Sequence, residues 1–426
     1  MRTLEVWLYD EPIGTITETR QGGRFAYNEN VVRRIPGRPA LSLSLPAKSR
    51  PFGEAKTENW FNGLLPEGRR RDEICAELGL NTYDWIGLLA EIGWECAGAV
   101  RIFAPGAEKT RKPALEPLSE DDLAQRLRAL QATRSLIPQS SYRMSLGGFQ
   151  EKLVVALPRL GITGQTLHAG QMTAFLPEGD AASTHILKPE STQNYPGSAE
   201  AEAWAMTVAS SAARCSTVAL LELEQAPLTL VVERYDRTGE TWPEGAVRVH
   251  QEDACQALGI PTSRKYANER EPKGDDPTYR GIAELLLRFA AHPEEELQEL
   301  LRQITVNMAL GNLDAHAKNT AFLFREPMVP ALAPLYDVVP ITEIEPRTTM
   351  LSMRIDGSLD PSRVTVSTLV AEAAGWGMDA AEATRCIDGC LSALEEGFER
   401  AALCFPAAAA RHEAPARARI AHIRKG

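Results

Sequence analysis

The hydrophobic pattern of this 426-residue chain changes its period close to His250, and this change limits the folds open to it. Upstream, short apolar or β-branched runs between turn residues are typical of strands, and an alanine-rich helical stretch, 198–213, separates the last two. Downstream, apolar residues recur at helical spacing over 285–308 and 369–403. The strand-like runs are 152–157, 184–188 and 229–233. The pattern predicts an α+β fold of two lobes, of which the second is all helical.

A smaller mixed α/β subdomain is expected before residue 104. Leu4, Val6 and Leu8 recur at period two and are followed by turn residues at 11–14, so the chain should open with a hairpin. Residues 104–117 combine Pro, Gly and charged side chains, which is typical of a linker. The predicted domains are 1–104, 118–245 and 246–426.

Composition excludes a broad nucleic-acid-binding face and indicates the compartment. The formal net charge is -11, whereas direct phosphate neutralisation needs clustered Lys and Arg. The seven cysteines show no zinc spacing and are expected to be reduced. No basic leader with an apolar run opens the chain, and no apolar stretch is long enough to span a bilayer. We therefore expect a cytoplasmic protein without membrane contact, with any DNA contact made through a partner.

The segment 312–319, followed by 335–338, carries the side chains of a phosphoryl-transfer site. Such chemistry needs a carboxylate to orient the acceptor hydroxyl, and a carboxamide with a second carboxylate to hold Mg²⁺ across the nucleotide phosphates. Asp314, Asn319 and Asp337 supply these groups, with Asp337 on an apolar stretch, 331–339, that resembles a strand. The alternative is a solvated loop whose polar side chains cap neighbouring helices.

Two further residues lie inside this loop. His316 is expected to brace the loop rather than bind metal, because no second His is near it in the sequence. Lys318 is a candidate for balancing the charge that develops on the transferred phosphate.

A glycine pair precedes the first strand-like run. Gly147 and Gly148 would let backbone amides approach phosphates closely, although an ordinary turn has the same composition. Ser145 lies at its edge, and a phosphate there would place about two negative charges where nucleotide phosphates bind. Phosphorylation of Ser145 should therefore inhibit phosphoryl transfer.

Two strand ends complete the set. Lys188 would neutralise the α and β phosphates if Glu200 or Glu202 of the next helix orients it; otherwise it is a solvated lysine. The segment 231–237 runs from an apolar strand into charges, so the backbone of Glu233 and Tyr235 could bind adenine. A salt-bridged hinge between lobes is the other interpretation, and the two are compatible.

Taken together, these segments resemble the HipA-type serine/threonine kinases, the toxin halves of bacterial HipBA toxin–antitoxin modules. The likeness spans nearly the whole chain. The matching segments are 61–68, 145–152, Glu202 with Met206, 232–237, 250–253, 265–266, 314–319 and 336–338.

The resemblance implies a two-lobed kinase fold that uses ATP and Mg²⁺ to phosphorylate a protein serine. It implies that Asp314 is the catalytic base and that Asn319 and Asp337 bind Mg²⁺. Ser145 matches the serine that is autophosphorylated in the family. It also implies an aminoacyl-tRNA synthetase as substrate, growth arrest or persistence as the outcome, and a HipB-like helix-turn-helix antitoxin that carries the DNA contacts. The predicted nucleotide contacts are Gly147, Gly148, Phe149, Gln150, Lys152, Lys188, Glu233, Tyr235, His316, Lys318, Asn319 and Asp337.

One segment departs from the family pattern. A charged, Pro-interrupted run at 267–280 replaces the glycine-rich residues expected after the Lys265-Tyr266 pair, which affects the expected substrate docking. An alternative function is a kinase-like binding module that acts mainly as co-repressor with its antitoxin on operator DNA.

Overall fold

The computed structural model describes residues 1–107, 112–132, 152–190, 196–269, 274, 276–345 and 347–425. The predicted phosphate-loop residues Gly147, Gly148, Phe149 and Gln150, and the predicted autophosphorylation residue Ser145, lie outside the described residues.

The chain opens with an antiparallel sheet of four strands, which are β1 (Thr3–Leu8), β2 (Glu11–Thr19), β3 (Gly22–Tyr27) and β4 (Val100–Phe103). They lie in the order β3-β2-β1-β4, and the predicted opening hairpin is confirmed. The accompanying helices are α1 (Glu29–Arg34), α2 (Glu54–Phe61), α3 (Gly68–Leu78) and α4 (Trp85–Ile92), with a 3-10 turn at Asn62–Leu64. Every second side chain of β1 points inward and packs in a hydrophobic core that includes Trp60 and Phe61. The buried residues of this core all lie between residues 4 and 102.

A second sheet of five strands follows. The elements of this region are β5 (Ala114–Leu118), α5 (Glu120–Gln131), β6 (Leu153–Val155), β7 (Gln165–His168), β8 (Ala174–Glu178), β9 (His185–Pro189), α6 (Ser198–Ala209), β10 (Val218–Glu222) and β11 (Thr229–Glu233). The order is β6-β9-β11-β10-β7, with β7 and β10 parallel and the other pairs antiparallel. The three predicted strands and the predicted helix are confirmed. The end of the predicted linker is instead β5, which pairs with β8.

Alternation places this sheet between two cores. On β10, Val218 and Leu220 pack with Trp204 of α6, whereas Ala219 and Leu221 pack with Leu127 of α5 and its neighbours. The central strands β10 and β11 are therefore buried on both faces, which explains why they are nearly continuous apolar runs.

The remainder is mostly helical. The helices are α7 (Ala254–Leu258), α8 (Tyr279–Phe289), α9 (Pro293–Leu310), α10 (Ile341–Ile344), α11 (Val366–Ala374), α12 (Ala380–Cys404) and α13 (Pro406–Ile423), with 3-10 turns at Thr262–Arg264, Ala317–Asn319 and Pro361–Arg363. Side-chain caps mark several starts, since Thr278, Thr365 and Asp379 each accept a backbone N–H of the helix that follows.

The predicted α+β, two-lobed class is confirmed, but the second lobe is not all helical. Beside the hairpin of β12 (Arg237–Thr238) and β13 (Val247–Arg248), it holds an antiparallel sheet of β14 (His250–Asp253), β15 (Ala321–Glu326) and β16 (Val329–Leu332). Residues 321–324 are buried on both faces, so they lack the alternation that would mark a strand in the sequence. The strand predicted over 331–339 ends at Leu332, and Asp337 lies in the loop beyond it.

Three other features bear on the predictions. All seven cysteines are free, as expected. Within the described ranges, every helix is too short or too polar to cross a bilayer. The boundaries 1–104, 118–245 and 246–426 stay predictions.

Candidate active site

A cleft lies where three parts of the molecule meet: the five-stranded sheet, the helical region, and the N-terminal segment, which is residues 1–103. Its described residues enclose about 690 Å³, a size suited to a small-molecule ligand. Lys152 and Lys188 line it from the sheet side, Asp314 and Asp337 from the helical side, and Glu67 from the N-terminal segment.

The loop 312–319 is fixed by the end of α9. Gly311 ends this helix with a φ of 75°, and a Cβ built there would lie 2.4 Å from Thr342 Oγ1, so a side chain is excluded. Asn312 Nδ2 then donates to Asn307 Oδ1 at 2.8 Å and to the Asp337 carbonyl at 3.2 Å. Asn312 thus joins the helix end to the second acidic segment.

Internal hydrogen bonds within the same loop hold two of the predicted site residues, Asp314 and Asn319. The His316 N–H donates to the Asp314 carbonyl at 2.8 Å, and the Asn319 N–H donates to the His316 carbonyl at 2.8 Å. Asn319 Nδ2 also donates to the Asp314 carbonyl at 3.2 Å. The loop is therefore a rigid turn rather than a set of helix caps.

Asp337 lies opposite this loop in a strained conformation. Its φ is 60°, a left-handed value that costs energy for a non-glycine residue and persists where the surroundings impose it. Its carboxylate accepts from Lys188 Nζ at 2.6 Å and from Asn319 Nδ2 at 3.2 Å. Burial opposes its ionisation, but the charge of Lys188 outweighs burial and lowers the pKa of Asp337 to about 2.

Lys188 is paired rather than solvated. Its Nζ donates to Glu202 Oε1 at 2.8 Å as well as to Asp337, and both carboxylates raise its pKa against the effect of burial. Of the two candidate partners on α6, the structure selects Glu202, because Glu200 accepts the Ala408 N–H at 3.2 Å. Burial and the nearby Asp337 raise the pKa of Glu202 to about 7. Burial and the charge of Lys188 lower the pKa of Lys152 to about 8.

Asp314 has one side-chain contact that sequence reasoning missed. Tyr266 Oη donates to Asp314 Oδ1 at 2.9 Å, although the tyrosine ring is 45% exposed. Burial raises the pKa of Asp314, and the Tyr266 hydrogen bond opposes that rise. The Lys265-Tyr266 pair was visible in the sequence as a matching segment, but nothing in its spacing placed it beside Asp314.

His316 and Lys318 both turn inward. Burial and the charge of Lys265 lower the pKa of His316 to about 3, so the ring is neutral, and it packs edge-on against Tyr266 at 5.1 Å. Lys318 Nζ donates to the Gly63 carbonyl and to Asp253 Oδ2, each at 2.8 Å. It lines the cleft from an anchored position.

The predicted adenine segment also lines the cleft. The Glu233 N–H donates to the Thr217 carbonyl at 2.9 Å, and its carboxylate accepts the Leu160 N–H at 2.9 Å, so both groups have protein partners. Tyr235 packs its ring 5.6 Å from that of Tyr336. Next to them, the side chains of Arg234 and Arg237 are buried in ion pairs. The segment is therefore salt-bridged, with Glu95 as a shared partner of Arg234 and Arg237, and its role as a hinge between lobes stays a prediction.

Two family profiles match the chain. One describes the HipA N-terminal domain and covers residues 4–103, and the other describes the HipA-like C-terminal domain and covers residues 144–398. The chain belongs to the HipA family. The predicted family is thus confirmed, and the second profile alone covers more than half of this HipA-family chain.

Individual relatives agree with this assignment. A protein of Sinorhizobium fredii that carries the provisional name kinase Y4mE is 35% identical over 90% of this chain and 86% of its own length. The serine/threonine-protein kinase toxin HipA of Shewanella oneidensis is 29% identical over 88% of this chain and 84% of its own.

A solved structure shares the fold. It belongs to the complex of HipA, HipB and operator DNA from Shewanella oneidensis MR-1, and it superposes with a TM-score of 0.80 over 99% of both chains at 23% identity. At this identity the similarity concerns the fold alone.

Proposed function

We propose that this HipA-family chain is a serine/threonine-protein kinase toxin that transfers the γ-phosphate of ATP to a protein serine. The observation that carries the proposal is the meeting of Asp314, Asn319, Asp337 and Lys188 in one cleft, with Glu202 behind the lysine. These are the side chains that phosphoryl transfer requires. The kinase names of the two relatives support it.

Each side chain has a proposed role. Asp314 orients the acceptor hydroxyl and takes its proton, while Lys188 and Lys152 hold the nucleotide phosphates, together with the glycine pair, Phe149 and Gln150. Glu202 keeps Lys188 in place. Glu233 and Tyr235 border the adenine, and His316 and Lys318 support the loop beside the phosphates.

The residues also fit Mg²⁺. Asp337 is ionised and would supply one carboxylate. Asn319 Nδ2 donates to it at 3.2 Å, so the Asn319 amide would turn its oxygen towards the ion to act as the second ligand. The described residues contain no cluster of three or more His, Cys, Asp or Glu side chains, and Mg²⁺ on a nucleotide usually takes only one or two carboxylates besides the phosphates. When bound, the ion would neutralise charge on the β and γ phosphates.

The biological setting follows from the family. We propose a cytoplasmic toxin whose target is an aminoacyl-tRNA synthetase, so that phosphorylation inhibits translation and arrests growth. A HipB-like antitoxin would bind the chain and carry its DNA contacts, in agreement with the net charge of -11. Autophosphorylation on Ser145 would be inhibitory.

The first test is phosphosite mapping by mass spectrometry after incubation of the purified protein with Mg-ATP and a bacterial lysate. We expect phosphate on Ser145 and on a lysate protein, with none in an Asp314→Ala variant. A Ser145→Ala variant should lose only the first phosphate. Wild-type protein that transfers no phosphate would contradict the proposal.

A second candidate function is that of a co-repressor that acts mainly through its antitoxin, as the HipA, HipB and operator DNA complex of the structural neighbour suggests. Growth on expression separates the two candidates. If Asp337→Ala arrests growth as strongly as the wild type, toxicity does not depend on phosphoryl transfer.

A further inference from the structure

Strand β14 presents its two faces to two different parts of the molecule. His250 and Glu252 contact the N-terminal segment, whereas Gln251 and Asp253 contact the residues around the cleft. Successive side chains of a strand point to opposite faces, so this division follows from the backbone. The four-residue strand thus connects the two parts directly.

Glu252 is the main contact on the first face. Its side chain is buried, and its carboxylate accepts from Ser42 Oγ at 2.6 Å, the Leu43 N–H at 2.8 Å and Trp60 Nε1 at 2.9 Å. A buried carboxylate is tolerated only with such donors. All three come from the N-terminal segment, and His250 Nε2 adds a bond to the Leu41 carbonyl at 2.7 Å.

The side chains on the second face contact two different parts of the cleft lining. Gln251 Oε1 accepts from Tyr235 Oη, and the Tyr235 ring packs on Tyr336, which immediately precedes Asp337. Asp253 accepts from Lys318 Nζ at 2.8 Å and also caps α7. Through Tyr235, β14 therefore contacts the neighbour of Asp337, and through Lys318 it contacts the loop that carries Asn319.

The N-terminal segment also touches that loop without an intermediary. The Gly63 carbonyl accepts from Lys318 Nζ at 2.8 Å, and a Cβ at Gly63 would lie 3.0 Å from Gln256, so glycine allows this close approach. Glu67 accepts from Lys265 Nζ at 3.2 Å, and the Lys265 carbonyl accepts the Ala317 N–H at 3.1 Å. An ammonium group has three N–H donors. Gly63 and Asp253 take two of those on Lys318, and Glu67 Oε1 lies 3.7 Å from the same Nζ.

We propose that the N-terminal segment, residues 1–103, is a positioning element of the phosphoryl-transfer site, joined to it through β14 and through Gly63 and Glu67. The inference rests on the proposed function. Its consequence is that weakening this contact slows phosphate transfer at saturating ATP more than it weakens ATP binding, because the groups displaced act on the transferred phosphate.

Three variants with the same chemical change test it. Glu252→Gln turns an amide NH₂ towards three donors, so at least one buried donor loses its acceptor. Glu67→Gln removes the charge next to Lys265 and Lys318. Glu54→Gln is the control, because the Glu54 carboxylate accepts from Arg24 and Thr19, which both lie in the N-terminal segment.

Two readouts are compared in the full-length protein. The first is the transfer of labelled phosphate from Mg-ATP to dephosphorylated casein and to the chain itself. It is measured as kcat and as the KM for ATP. Glu252→Gln and Glu67→Gln should lower kcat about tenfold and change KM less than about twofold, with Glu54→Gln like the wild type. The second is hydrogen exchange at the Ala317 and Asn319 amides, which should become faster in Glu252→Gln.

Wild-type kcat and wild-type exchange in both interface variants would overturn the inference. If Glu252→Gln does not fold, Glu67→Gln decides. If the wild type itself transfers no phosphate, the proposed function fails, whereas hydrogen exchange still reports whether the N-terminal segment and the loop are coupled.

Discussion

Two clusters of buried charge lie within this molecule, and they differ in what surrounds them. In the hinge cluster, Glu95 accepts from Arg234 and Arg237 at 2.9 Å each and from Arg248 at 2.7 Å, and Asp236 binds Arg234 at 2.8 Å. In the cleft cluster, Lys188 holds Glu202 and Asp337, but the Asp337 side chain is 38% exposed to the cleft.

Perturbed pKa values do not separate these clusters. The arginines around Glu95 outweigh its burial and hold its pKa well below the usual range, as Lys188 does for Asp337. Ion-pair networks of structural and of functional kind both shift pKa values. What separates them is that the carboxylates of the hinge cluster are buried against arginines, whereas the cleft cluster combines a partly exposed carboxylate with a left-handed backbone. The first stabilises the junction, and the second is available to a ligand.

The largest expected effect is on the cleft side. Asp337→Asn removes the proposed Mg²⁺ ligand and should lower phosphate transfer about a thousandfold or more, since a metal ion supplies several kcal/mol of transition-state stabilisation. Asp356→Asn is a matched control, because Asp356 is an exposed aspartate that also has positive φ, 46°. Equal activity of the two variants would remove the functional distinction between the clusters.

The hinge cluster should respond in stability instead. Glu95→Gln leaves three buried guanidinium groups without their shared counter-charge, and we expect a loss of about 3–5 kcal/mol in the free energy of unfolding. Denaturant titration measures it, with the exposed Glu91→Gln as control. Activity per folded molecule should stay close to wild type. A selective loss of kcat with unchanged stability would contradict a structural role.

The same carboxylate gives a pH dependence. Because the folded-state pKa of Glu95 is depressed below the ordinary value of 4.5, its contribution to stability is complete above that pH and is lost as the pH falls below it. Acid unfolding of the wild type should therefore be steeper below pH 4.5 than that of Glu95→Gln. Parallel curves would show that Glu95 does not contribute to acid sensitivity.

The smallest effect concerns the contact that extends the cleft cluster to Asp314. Tyr266→Phe removes a hydrogen bond to a carboxylate and keeps the ring, so we expect kcat to fall about tenfold or less. Tyr83→Phe, at a tyrosine that is 89% exposed, should have no effect. A loss as large as that of Asp337→Asn would mean that Tyr266 does more than orient Asp314.

Much of this arrangement was predictable from short-range pattern. The runs that became β6 and β11 are apolar because these strands are buried, and the 312–319 segment has its polar groups within one turn. The sheet of β14, β15 and β16 was missed because β14 and β16 have only four residues each, and because period two is not visible in the buried run 321–324 of β15.

The sequence by itself determined the chemistry, because side-chain type decides whether a group can hold a proton, a cation or a phosphate. Asp314, Asn319, Asp337 and Lys188 were predicted site residues, and the family they indicate is the one that the profiles confirm. Only the tertiary structure decided the partners. Glu202 rather than Glu200 faces Lys188, and Gly63 reaches Lys318 from a distant part of the chain. Such contacts depend on how elements that are far apart in the chain pack together. Hydrophobic periodicity is a local property of the sequence and does not predict that packing.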